Sequence, residues 1–179
     1  MKVILIGNAG AGKTTLANAL MAKGGASRLS LDKVAFAEAA ERRPLAESIE
    51  AVQDFIHAND RWVIEGVYSD IVQPLLVYCE TLVFLNPGTA TCIEHCRRRP
   101  WEPEKFGSES EQLENLSNLI TWVSDYETRS DEYGLNRHRR LFDGFPGRKL
   151  EFTSVVPDAA EQILSAPYDP PASLPHCDS

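Results

Sequence analysis

An apolar run, KVILI at 2–6, passes without a break into GNAGAGKTT at 7–15, and a helical pattern, TTLANALMAK, follows at once. This order constrains the chain more than any other feature. A short continuous run rich in β-branched residues suits a strand buried on both faces, as in a parallel sheet covered by helices on either side. Leu16, Ala19, Leu20 and Lys23 recur at helical spacing, and Gly24-Gly25 stops the pattern.

The same alternation continues. Strands are predicted at 28–31, ending at Asp32, at 61–66, at 81–85 before Asn86-Pro87-Gly88, and at 149–153. Between them, Leu45, Ile49, Val52 and Ile56 share one helical face, and ATCIEHCRRR forms a helix closed by Pro100. Ser108 and Glu111 have the spacing of a capping box. The long helix it starts carries Leu113, Leu116, Leu119, Ile120, Val123 and Tyr126 as its apolar stripe, and ends between Arg129 and Gly134. A short helix, AAEQIL, precedes a proline-rich, polar tail at 166–179, expected to be disordered. The expectation is an α/β fold in one domain over 1–165. Ligands in such sheets lie at the carboxyl ends of the strands, where Gly7, Asp32, Glu65 and Asn86 all fall.

The glycine loop carries the chemistry. Gly7, Gly12, Lys13 and Thr14 meet the pattern G-x-x-x-x-G-K-[ST]. Gly7, Gly10 and Gly12 let successive N–H groups turn inward, and the following helix adds its positive dipole end. The whole stretch Gly7, Asn8, Ala9, Gly10, Ala11, Gly12, Lys13, Thr14 and Thr15 is expected to cradle phosphates. Lys13 adds a full charge, and Thr14 offers a hydroxyl to a magnesium ion. Glu65 is the chosen carboxylate on the magnesium side, against a reading as a solvated strand-end glutamate. Asp32 is the candidate for orienting an acceptor hydroxyl, against a role as a turn cap.

Arg97, Arg98 and Arg99 precede a loop, so a lid at about 97–110 is expected to bring arginine to a transferring phosphoryl group. The competing reading is that they only complement a helix dipole. Arg42-Arg43 could hold an anionic acceptor or form a solvated pair. Arg129, Arg137, Arg139 and Arg140 make a third basic cluster. Trp62 and Trp122 read as core; Trp101 stays open between lid and stacking roles.

Composition narrows the partners. The formal net charge of −8 over 179 residues argues against general affinity for nucleic acid or anionic membranes, though a local basic pocket is compatible with it. The five-residue apolar start is too short for a secretory h-region of roughly 7–15 residues. A cytoplasmic protein is expected, and Cys79, Cys92, Cys96 and Cys177 read as thiols rather than a disulfide framework or zinc site. The N/T-K-x-D tetrad of GTPase switches does not occur.

With GNAGAGKTT, Leu31-Asp32, RWVIEGVYS at 61–69, TLVFLN at 81–86 and the CRRR run, the chain resembles the P-loop small-molecule kinase superfamily, which includes adenylate, shikimate and gluconate kinases. The order of these segments looks most like its topology-modulation or adenylate-kinase-like branch. The resemblance implies a three-layer P-loop NTPase fold, a five-stranded parallel sheet of order 2-3-1-4-5, and a small lid. It implies ATP and Mg²⁺ as cofactors, Glu65 as the strand-end acid, and adenine near Ser154 to Pro157. Phe36 and Val67 depart from the branch pattern at the acceptor side. FDGFPGR at 142–148 echoes a kinase motif but precedes the last strand, and reads as a turn. The expected activity is transfer of a γ-phosphoryl group to a nucleotide, nucleoside or hydroxylated metabolite by Lys13, Asp32, Arg97 and Arg98. The alternative is an ATP-binding switch with slow hydrolysis that acts through a protein partner.

Overall fold

A computed structural model describes residues 1–37, 41–101 and 107–165. The elements run β1 (Lys2–Ile6), α1 (Lys13–Gly24), β2 (Ser27–Ser30), α2 (Asp32–Ala35), α3 (Leu45–His57), β3 (Trp62–Gly66), α4 (Ser69–Leu75), β4 (Thr81–Leu85), α5 (Thr89–Arg97), α6 (Glu109–Ser124), α7 (Leu135–Gly144), β5 (Arg148–Phe152) and α8 (Ala159–Ser165). The described strands of the sheet all pair in parallel, in the order β2-β3-β1-β4-β5 expected from the resemblance. The expected tail at 166–179 and part of the expected lid, 102–106, lie outside the described residues.

The three central strands, β1, β3 and β4, are largely apolar on both faces because each face meets helices. Val3 and Leu5 of β1, Val63 of β3 and Val83 of β4 join one cluster with Leu16, Ala17 and Leu20 of α1 and the α5, α6 and α8 contacts. Ile4, Ile6, Trp62, Ile64, Leu82 and Phe84 point the other way, onto α3, α4 and α7. Each fully buried aliphatic or aromatic side chain contributes about 1.5–3 kcal/mol on leaving water. Gly25 ends α1 in a left-handed conformation (φ 62°), its N–H donating to Met21 O at 3.0 Å.

The long helix and the segment after it differ from the sequence reading. The long helix ends at Ser124, continues as one tight turn at Asp125–Glu127, and a separate α7 follows. Of its expected stripe only Val123 and Tyr126 are fully buried, while Leu113 is 67% exposed. Leu116 and Leu119 are partly buried and pack against the core. Ser108 Oγ does cap the helix, accepting from Glu111 N at 3.1 Å, but the Glu111 carboxylate accepts from Gly107 N instead of Ser108 N.

α7 is anchored by His138, which is fully buried. Its Nε2 lies 2.9 Å from Val67 O, which can only accept, so Nε2 carries the hydrogen. Nδ1 then accepts from Tyr126 Oη at 2.7 Å. One neutral tautomer satisfies both contacts, and burial pushes the imidazole down to about 4 from an ordinary 6.5. Because the folded state binds this proton less readily than the unfolded chain, the stability is complete above pH 6.5 and drains away towards pH 4. The expected loss is about 3 kcal/mol. Urea melts at pH 7.5 and 4.5 check this; a His138→Gln variant should show a smaller difference between the two, and an equal one would clear His138 of the effect.

Candidate active site

At the carboxyl end of β1 the chain turns within a few residues. Gly7 has φ 142°, and a Cβ there would lie 2.2 Å from Leu85 O, so the loop grazes the end of β4. Gly10 is left-handed at φ 78°, and its carbonyl accepts from His95 Nδ1 of α5 at 2.8 Å. Asn8 is buried; its amide donates to Val123 O of α6 at 3.0 Å, and its Oδ1 has no protein partner. The loop is thus tied from behind by α5 and α6. Gly12, at φ 94°, begins α1, and a Cβ there would find nothing closer than 3.9 Å.

Lys13 folds back over this loop. Its Nζ donates to Gly7 O at 2.9 Å and Asn8 O at 2.8 Å, and the side chain is buried. Burial pulls the ammonium below its ordinary lysine value; the charges of Glu65 and then Asp32 act against that, and Arg99 adds to it. Thr14 and Thr15 are exposed at the first turn of α1. The Thr14 hydroxyl donates to Glu65 Oε1 at 3.3 Å, so the two residues named for a metal meet. Glu65 is buried rather than solvated, and Arg28 Nη2 stands 2.7 Å from the same oxygen.

Asp32 is exposed at the start of α2 and accepts from Tyr68 Oη at 2.7 Å. Burial first, and then this carboxylate, hold the Tyr68 phenol protonated well above its ordinary range. Tyr68 is flanked by Tyr133 and by Arg42, whose guanidinium lies 4.7 Å from the ring centre and pairs with Asp70 at 2.9 Å. A second arginine, Arg129, stacks on Trp122 at 4.3 Å.

The arginines after α5 separate. Arg97 and Arg98 are exposed, and Arg98 pairs with Glu94 at 2.5 Å. Of the three, Arg99 is the one whose charge acts on Lys13. Arg139 pairs doubly with Glu151, which also accepts from Asn86. Arg28, Tyr68 and His95 were not assigned a role at the site from the sequence, and Arg99 was named only as one of three lid arginines. Tyr68 stood inside the RWVIEGVYS segment and His95 between Cys92 and Cys96, whereas nothing local marked Arg28.

The donor set fits a magnesium–nucleotide. The space over Gly12 is open, a buried cation lies along the loop, and a hydroxyl and a buried carboxylate meet beside it.

Residues 3–101, from β1 to just past the three arginines, match a family described as AAA domain. A search of curated proteins finds no match. Among solved structures, a shikimate kinase from Acinetobacter baumannii in complex with shikimate is similar at a TM-score of 0.58 and 16% identity, covering 91% of this chain and 90% of that one. A shikimate kinase from Aquifex aeolicus gives 0.53 and 16%, over 92% and 94%. A gluconokinase from Sinorhizobium meliloti gives 0.51 and 13%, over 92% and 87%. The fold is that of the P-loop small-molecule kinases.

Proposed function

The chain belongs to the AAA-domain family, and from that premise we propose that it is a kinase that moves the γ-phosphoryl group of ATP to a small acceptor. The observation that carries this is the placement of two opposed groups at one end of the sheet: the buried Lys13 along the phosphate loop, and the exposed Asp32 carboxylate held by Tyr68.

The loop amides from Gly7 to Thr15 bind the phosphates, and Lys13 leaves its carbonyl partners to reach the β- and γ-phosphoryl oxygens. Thr14 and Glu65 hold the metal side. Magnesium, when bound, supplies positive charge to the phosphoryl oxygens. Asp32 orients the acceptor hydroxyl and takes its proton, while Tyr68 fixes the carboxylate's direction. Arg99, with Arg97 and Arg98 on the lid, neutralises charge on the transferring group. Val155, 64% exposed just past β5, is offered as a surface for adenine together with its neighbours from Ser154 to Pro157.

The acceptor is a small molecule that carries a hydroxyl; the cavity beside Arg42 and Arg43 is lined by Glu41 and Glu47 as well, and Arg42 already pairs with Asp70, so this cavity does not set the acceptor's charge. Among the described residues no helix is long and apolar enough to cross a membrane.

ADP release from Mg-ATP, measured with and without pools of nucleoside monophosphates, nucleosides, sugars, hydroxy acids and short RNA, tests the proposal. Stimulation by one pool is expected. Equal slow hydrolysis in every pool would replace the kinase with a switch acting through a protein partner. Asp32→Asn is expected to cost roughly 100-fold or more in transfer while leaving ATP affinity within about twofold. Unchanged turnover in that variant would remove Asp32 from the mechanism.

A further inference from the structure

Arg28 sits on β2 two residues before Ser30, the register partner of Glu65 on β3. Parallel pairing puts Arg28 and Glu65 diagonally on the face covered by α1. The guanidinium uses both ends there: Nη2 donates to Glu65 Oε1 at 2.7 Å, and Nη1 to Asn18 Oδ1 of α1 at 3.0 Å. The oxygen it holds is the one that accepts from Thr14. The Glu65 side chain is 5% exposed and that of Arg28 25%. A carboxylate so far from water needs a counter-charge, and Arg28 provides it.

The positive charges around the site at least match the negative ones, since Arg99 also acts on Lys13. Lys13 and Arg28 oppose Glu65 and Asp32, and the charge of Lys13 acts with both carboxylates. A bare divalent cation approaching Thr14 therefore meets no excess of negative charge. Nucleotide phosphates supply that excess when they enter the loop. We propose that Arg28 is the resident counter-ion of Glu65 and reserves the Thr14–Glu65 pair for a divalent cation that arrives with nucleotide. Arg28 is thus a positioning residue. The inference rests on the reading of the loop as a magnesium–nucleotide site.

Bare Mn²⁺ titrated into the nucleotide-free protein, followed by the electron-spin resonance of the free ion, tests the assignment. Arg28→Gln keeps an amide donor for Glu65 but loses the charge; Arg28→Lys keeps the charge. Wild type and Arg28→Lys are expected to bind bare Mn²⁺ at least about tenfold more weakly than Arg28→Gln. Adding Glu65→Gln to Arg28→Gln should erase the gain, and a gain that survives it overturns the assignment. So does a folded Arg28→Gln protein with wild-type Mn²⁺ affinity. Should that variant fail to fold, Arg28→Met, which keeps the aliphatic stem and loses the charge, takes its place with the same two outcomes. Wild type that binds no Mg-ADP overturns the loop reading as well, whereas Mg-ADP binding with no gain in Arg28→Gln overturns this inference alone.

Discussion

Lys13→Ala is expected to lower phosphoryl transfer by roughly 100- to 1,000-fold or more while moving the Tm by only a few degrees. The two effects separate because the lysine's positions with and without phosphate differ in worth. Without phosphate, its Nζ donates to the carbonyls of Gly7 and Asn8, but burial opposes its charge. Removing it gives up two hydrogen bonds and also a desolvated cation, and these oppose each other in stability. Over the phosphates the same charge has no substitute in the loop. Lys13→Arg is not a rescue, since a planar guanidinium does not fit a path built for a slender chain between two carbonyls. Transfer rates and thermal melts of the same preparations check both halves. A variant that melts far below wild type would show Lys13 to be structural first.

Gly10→Ala is expected to cost roughly 2–5 kcal/mol of stability, adding a left-handed backbone penalty to overpacking. At φ 78° an L side chain is strained, and its Cβ would stand 2.3 Å from Cys92 O and 2.9 Å from Cys96 Sγ. The sulfur could rotate away; the carbonyl belongs to the body of α5 and cannot. The His95 contact to Gly10 O, 2.8 Å, would be stretched as the loop lifts. Gly12→Ala is the control, because it meets the same backbone strain at φ 94° with no atom nearer than 3.9 Å. Denaturant melts should place Gly10→Ala well below Gly12→Ala. Equal losses would mean that the contact with α5 yields freely.

The glycine spacing, the buried strands and the helix stops were legible because each depends on neighbours within a few residues. Trp62 in its strand, the cap at Ser108 and the close of α1 at Gly25 are of that kind. α7 was not. Its anchors, His138 and Leu141, are set among Arg137, Arg139 and Arg140, and their burial depends on Val67 and Tyr126 from other elements. α4 was also hidden, a seven-residue helix with Pro74 inside it.

By itself the sequence determined that a glycine loop joins a doubly buried strand to a helix, with Asp32 and Glu65 each at a strand end. Only the tertiary structure decided which charges meet. Glu65 is held by Arg28 from 37 residues away, and Asp32 by Tyr68 from 36. The reason is physical. Backbone turns and helix starts follow from local dihedral preferences, whereas a buried charge takes its partner from whichever strand the sheet order sets beside it.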